Sequence, residues 1–207
     1  MHKNLRPREK AIALRKKSFP ESKPVQETIV GRRNGKLMPL LYRPFAEQDS
    51  PACSKILTEN FVDSMFWGTG FPTSQDMAKA RRAYSQPFIR HTARKLNYRT
   101  VLLGQEVVGV CGFIQEENQA KMVDISVAMA RQGNGIGDFM VGTLIDEISS
   151  IERVSLIYLY SSPIAFGLYQ RHGFVVPVYA ERELIDSNGN LCMERLIEGK
   201  AGFIPRI

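Results

Sequence analysis

The chain has 207 residues, 43% hydrophobic and 24% charged, which is ordinary for a soluble globule and long enough for one domain with a sizeable core. No apolar run approaches a membrane span and no signal-peptide pattern is recognisable, while three cysteines without a Cys-x-x-Cys and three histidines without ligand-like spacing argue against a disulfide framework or a metal site. These features predict a cytoplasmic protein, with Cys111 a small core residue in the apolar run 107–113.

The net charge of +7 is unevenly placed: residues 1–36 hold 11 Lys/Arg against 3 Asp/Glu, and the rest hold 17 against 18. The segment 1–36 is therefore a basic extension, read as a solvated and partly disordered tail in preference to a nucleic-acid contact. A domain over 37–207 follows. Residues 37–44 read as its first strand and 50–62 as a helix. A loop over 63–73 carries Asp63, Phe66, Trp67 and Phe71. Residues 74–95 read as a helix capped by Ser74, with Pro87 as a kink or break. Runs at 98–103 and 107–114 around Gly104-Gln105-Glu106 predict a hairpin. A turn at 116–119 leads to a strand over 123–129, a glycine loop, and a helix from Asp138. A strand at 154–160 and a short helix ended by Gly173 come next. The chain closes with strands at 175–179 and 191–197 around a turn at 186–190. The order β-α-α-β-β-β-α-β-α-β-β predicts an α/β fold, a mixed sheet with helices on both faces.

The loop Gln132-Gly133-Asn134-Gly135-Ile136-Gly137 is the most informative segment. A strand, a glycine-rich turn and a helix start present free amide N–H groups, and the helix dipole, to an anion. The dinucleotide fingerprint fails because Asp138 stands where its third glycine belongs, and no Gly-Lys-Ser/Thr follows. What stands here is Gln-x-x-Gly-x-Gly. It resembles the coenzyme A pyrophosphate loop of the GNAT superfamily of N-acetyltransferases. A second segment, Ser162-Pro163-Ile164-Ala165-Phe166-Gly167-Leu168-Tyr169-Gln170-Arg171-His172-Gly173-Phe174, resembles that family's Asn-x-x-Ala-x-x-Leu-Tyr-x-x-x-Gly-Phe. Ser162 departs from it, replacing an amide by a hydroxyl. Arg43-Pro44 with Asp49 also resembles the start of a GNAT domain, and the resemblance covers about residues 37–197.

The resemblance implies a mostly antiparallel mixed sheet and acetyl transfer from acetyl-CoA to a primary amine, on a small molecule or a protein. With no cysteine in either motif, direct attack is expected. Residues 132–138, including Asp138, would hold the pyrophosphate, joined at the coenzyme by Ser162 and Ala165. The backbone of Val127, Ala128 and Met129 would pair with the pantetheine arm. Tyr169 would protonate the leaving thiolate, since a phenol at ~10 and a thiol at ~8.5 need only modest tuning. Asp124 is the candidate base, placed by strand alternation with Met122 and Ser126, opposite Val123, Ile125 and Val127. The alternative is a solvated carboxylate near the strand start, or one paired with Lys121 or Arg99. By analogy the acceptor pocket would hold Asp63, Phe66, Trp67 and Phe71, aromatics beside a carboxylate suiting a cationic amine. Many relatives dimerise, which leaves a homodimer open. A non-catalytic acyl-CoA-binding module on the same fold, or a nucleic-acid-associated protein using the basic tail, are the competing readings.

Overall fold

The computed structural model describes residues 27–33, 36–65, 73–178 and 182–200, with side chains over 39–62, 73–178 and 182–200. Seven strands form one sheet in chain order: β1 (Glu27–Arg33), β2 (Lys36–Pro44), β3 (Arg99–Leu103), β4 (Glu106–Glu116), β5 (Gln119–Val127), β6 (Leu156–Ser161) and β7 (Leu191–Leu196). The helices are α1 (Ser50–Met65), α2 (Ser74–Ala83), α3 (Gln86–Ala93), α4 (Ile136–Ser149) and α5 (Phe166–Arg171). All neighbouring strands are antiparallel except β5 and β6, which are parallel. A parallel pair needs a crossover, and α4 supplies it. None of the described helices is long and apolar enough to cross a membrane.

Successive residues of a strand point to opposite faces, and here each face has its own core. Cys111 of β4 joins Met140, Leu144, Ile148 and Phe174 under α4 and α5, whereas its neighbour Val110 joins Cys53, Leu57, Ile89 and Tyr98 under α1 and α3. On α4 the buried residues are Ile136, Met140, Val141, Leu144, Ile145 and Ile148, the three-and-four spacing of one helix face. Each such burial is worth about 1.5–3 kcal/mol as an upper bound. Gly109 admits this helix, because a Cβ there would lie 2.4 Å from Met140 Sδ.

Two polar clasps fix the outer elements. The Arg43 guanidinium grips the buried Asp49 carboxylate at 2.7 and 2.8 Å, and Asp49 also accepts from Ala46 N and Thr100 Oγ1. This ties the start of α1 to β2 and β3. On the other face Glu147 of α4 takes Arg99 and the Tyr42 hydroxyl. Arg99 is therefore committed to Glu147, not to Asp124.

Three sequence expectations change and one holds. The first strand pairs with β1, which lies inside the basic extension. The break expected at Pro87 is present, and 74–95 is two helices, because Pro87 has no N–H to donate and would crowd the carbonyl four residues back. Its cap is Thr73, not Ser74: Thr73 Oγ1 accepts from Asp76 N, and Asp76 accepts from Thr73 N. The strand expected at 175–179 shrinks to one bridge, Val175 with Glu194, since Pro177 cannot donate to a ladder; Tyr179 lies outside the described residues.

Candidate active site

The parallel pairing of β5 and β6 covers only Gln119–Lys121 and Leu156–Tyr158. Beyond it the strands part, and a cleft of about 500 Å³ opens between them. Residues 122–127 of β5 form one wall, and Leu159, Tyr160, Ala165, Leu168 and Tyr169 the other. Gln132, Gly133, Ile136 and Gly137 close the end toward α4, and Leu57, Asn60, Phe61 and Tyr84 come from the α1–α2 side.

The glycine loop leaves its backbone exposed. Gly133 and Gly135 have φ of 72° and 79°, left-handed values that a side chain would strain. A Cβ at Gly133 would meet nothing within 4 Å, so the backbone lies open to a ligand. Gly135 caps α4, a helix of 14 residues whose first amides face outward. The residues present therefore fit a diphosphate. Asn134 and Asp138 serve the loop rather than the cleft. Asn134 Nδ2 donates to the carbonyls of Arg131 and Gln132, while Asp138 pairs with His172 at 3.2 Å and Arg171 at 3.5 Å.

Gln132 points back at the scaffold. Its Nε2 donates to Asn60 Oδ1 at 3.0 Å and Val127 O at 3.3 Å, and Asn60 Nδ2 also reaches Val127 O at 3.0 Å. Expected as a direct ligand of the coenzyme, it lines the cleft and also fastens the loop to α1. The strand edge expected at Val127, Ala128 and Met129 also shifts. Ala128 N is spent on Val108 O of β4, and Met129 opens a 3-10 turn whose carbonyl accepts from Gln132 N. Neither lines the cleft. Alternation turns Val127 away from β4, so the edge offered to a ligand is 122–127.

A bulge explains the placement of Asp124. The β4–β5 register slips so that Asp124 and Ile125 together face the single residue Cys111, and Asp124 takes φ 53°. The extra residue breaks the expected alternation. Met122, Ile125 and Val127 face the α4 core, while Val123 and Asp124 both face the α1–α3 side. There Asp124 accepts hydrogen bonds from the hydroxyls of Tyr98 and, at 3.4 Å, Tyr84. Burial pushes its carboxyl above the usual range, and the two phenols and Lys121 pull it back in part.

Tyr169 sits on α5 with its ring buried edge-on to Phe174 at 5.9 Å. Burial first, then the field of Cys111, raises its phenol, so it is a proton donor through neutral and mildly alkaline pH. Its hydroxyl has no protein hydrogen-bond partner among the described residues. Gly173 follows with φ 78°, ending the helix in the left-handed conformation that glycine takes without strain. Ser162 starts a 3-10 turn without capping it, and lines the cleft with Ala165. Asp63 falls in the last turn of α1, not in a loop, and its side chain lies outside the description, as do Phe66, Trp67 and Phe71.

Sequence reasoning missed Asn60, Tyr84, Tyr98 and Arg131. Asn60 carried a signal, a carboxamide between the apolar Leu57 and Phe61. Arg131 carried another, a cation directly before the loop. It lines the cleft, gives Nη2 to Glu106 at 2.6 Å, and buries an Nε with no partner among the described residues.

The cleft thus combines an open strand edge, beside a splayed parallel pair, with an amide-rich loop at its foot. Residues 97–176 match the family described as acetyltransferase (GNAT) domain. Among solved structures, the PaiA N-acetyltransferase from Thermoplasma acidophilum in complex with coenzyme A superposes with a TM-score of 0.64 at 15% identity, over 77% of this chain and 99% of that one. The spermidine N-acetyltransferase from Vibrio cholerae, in complex with coenzyme A and spermine, superposes at 0.53 with 18% identity, over 76% and 95%. The ribosomal-protein-S18-alanine N-acetyltransferase from Escherichia coli does so at 0.53 with 18% identity, over 76% and 94%. No curated protein sequence matches the chain. The chain shares with these neighbours the fold of a mixed sheet flanked by helices on both faces, and its residues 97–176 match the GNAT-domain family.

Proposed function

We propose that this protein transfers an acetyl group from acetyl-CoA to a primary amine by direct attack. One observation carries the reading: a single cleft joins the amide-rich loop, the open edge of β5, the phenol of Tyr169 and the carboxylate of Asp124. Acetyl-CoA supplies the activated thioester. The amides of residues 133–138 hold its diphosphate, and Arg131 adds a cation beside them. Residues 122–127 offer backbone hydrogen bonds to the pantetheine arm, and an amide there holds the thioester oxygen. Tyr169 gives its proton to the departing sulfur. Asp124 takes a proton from the attacking amine.

The acceptor enters from the α1–α2 side, where Phe61, Tyr84 and Asp124 line the cleft. Aromatic faces beside a carboxylate suit a cationic amine. Asp63, Phe66, Trp67 and Phe71 are acceptor residues only by the sequence resemblance. The test is release of free thiol from acetyl-CoA with spermidine, lysine and an alanine-started peptide as acceptors. Tyr169→Phe should lower kcat roughly a hundredfold while coenzyme affinity stays within twofold. Unchanged kcat would remove Tyr169 from the chemistry. Coenzyme binding without turnover of any primary amine would make the protein an acyl-CoA-binding module.

A further inference from the structure

Asp124 is held in a way that a solvated carboxylate is not. It occupies a left-handed backbone position, which a non-glycine residue keeps only where the surroundings enforce it. Two phenols from separate elements converge on it. Tyr98 stands at the start of β3, its N–H donating to Ala93 O at 2.9 Å and its carbonyl accepting from Phe45 N at 3.0 Å. Tyr84 caps the end of α2, its carbonyl accepting from Ser54 Oγ of α1 and its ring edge-on to Phe61 at 5.4 Å. One ring is buried in the core under α1 and α3, and the other packs against it. Each hydroxyl takes a different oxygen of Asp124.

Room for this arrangement comes from Gly112. It pairs with Val123, next to the bulge. A Cβ at Gly112 would lie 2.5 Å from Tyr98 Cδ1 and 2.5 Å from the Leu96 carbonyl oxygen. Any other residue there would push the Tyr98 ring off its line to Asp124.

We propose that Tyr98 and Tyr84 are positioning residues for acetyl transfer: they hold the Asp124 carboxyl at the β5 bulge with both hydroxyls and aim its remaining lone pairs at the incoming amine. The proposal rests on Asp124 acting as the base. Hydrogen bonds to the charged form favour it, so the phenols offset the burial that raises the carboxyl. The other groups that act on this site are Lys121 on the same strand and Cys53 of α1, which faces Tyr98. A purely structural tyrosine would satisfy a buried acceptor without altering the pH at which the enzyme gains activity.

The experiment uses the full chain with Tyr98→Phe and, separately, Tyr84→Phe, each keeping its ring. The pH dependence of kcat/KM is measured with acetyl-CoA and the best acceptor among spermidine, lysine and the alanine-started peptide. In parallel the Asp124 carboxyl is titrated by carbon-13 NMR, its signal identified by its absence in Asp124→Asn. The expected result for Tyr98→Phe is an acid limb moved up by about half a unit or more, a carboxyl titration moved with it, and kcat lowered roughly tenfold with the acetyl-CoA KM within twofold. Tyr84→Phe, with the longer contact, should move both less. An unmoved limb with an unmoved carboxyl titration overturns the proposal, as do equal losses in kcat and coenzyme affinity. A wild-type chain that acetylates no amine, yet whose Asp124 titration responds to Tyr98→Phe, places the failure in the assigned reaction and leaves the clamp standing.

Discussion

At the scale of single residues, Tyr169 and Asp124 of the cleft are pushed the same way with opposite consequences. Burial raises the phenol of Tyr169, which keeps it a proton donor, so no alkaline loss of kcat traceable to Tyr169 should appear below about pH 10. Burial also raises Asp124, which delays its becoming a base. The acid limb of kcat/KM should therefore lie above the ordinary carboxylate range, near pH 4; a limb at or below it in the pH profile would contradict the burial argument. The same shift has a stability consequence. A carboxyl raised in the folded state contributes stability that is full below its unfolded pKa and lost as pH rises through its folded pKa. Asp124→Asn removes that loss while keeping an acceptor for the tyrosines. Its melting temperature should exceed wild type by a few degrees at neutral pH and equal it near pH 4, as read by calorimetry. Asp124 itself was legible as the acidic residue of its strand, but its facing was not, because a bulge leaves no mark on an alternating pattern.

Among elements, the cleft exists because β5 and β6 share only three paired positions before they diverge. The loop and α4 fill the gap at one end, and α5 lines the other wall. Gly135 at φ 79° caps α4, so Gly135→Ala should cost about 1–2 kcal/mol of local strain and weaken acetyl-CoA binding roughly tenfold, measured by calorimetry. Across the sheet, Glu147→Ala leaves the buried Arg99 without its carboxylate and the Tyr42 hydroxyl without its acceptor. The chain should lose about 3 kcal/mol in denaturant unfolding, with coenzyme affinity per folded molecule unchanged. The element order from β2 to β6 was readable in the sequence, since glycine spacing and apolar runs are local signals, whereas β1 was not and the strand expected at 175–179 is one bridge. The break at Pro87 was legible too, because a missing N–H is local chemistry. What escaped depended on partners far along the chain. The tie of Gln132 to Asn60, 72 residues earlier, and the meeting of Tyr84 after α2 and Tyr98 before β3 at Asp124 arise only in the folded sheet.

For the whole molecule, charge and chemistry are separable. Residues 1–26 carry 8 Lys/Arg and 2 Asp/Glu, a net of +6 out of +7, and they precede β1. Removing them should leave acetyl-CoA affinity within twofold, while any salt-sensitive affinity for nucleic acid disappears. A loss of coenzyme binding in the truncated chain would instead make the basic segment part of the domain. The central claim is that the cleft between β5 and β6 is a coenzyme A site, and it is tested most directly by titrating the full chain with acetyl-CoA in a calorimeter. The expected result is saturable binding of one equivalent, abolished in Gly135→Glu, whose carboxylate would sit where the diphosphate belongs. Absence of heat up to roughly millimolar acetyl-CoA, or binding that survives Gly135→Glu unchanged, would contradict it.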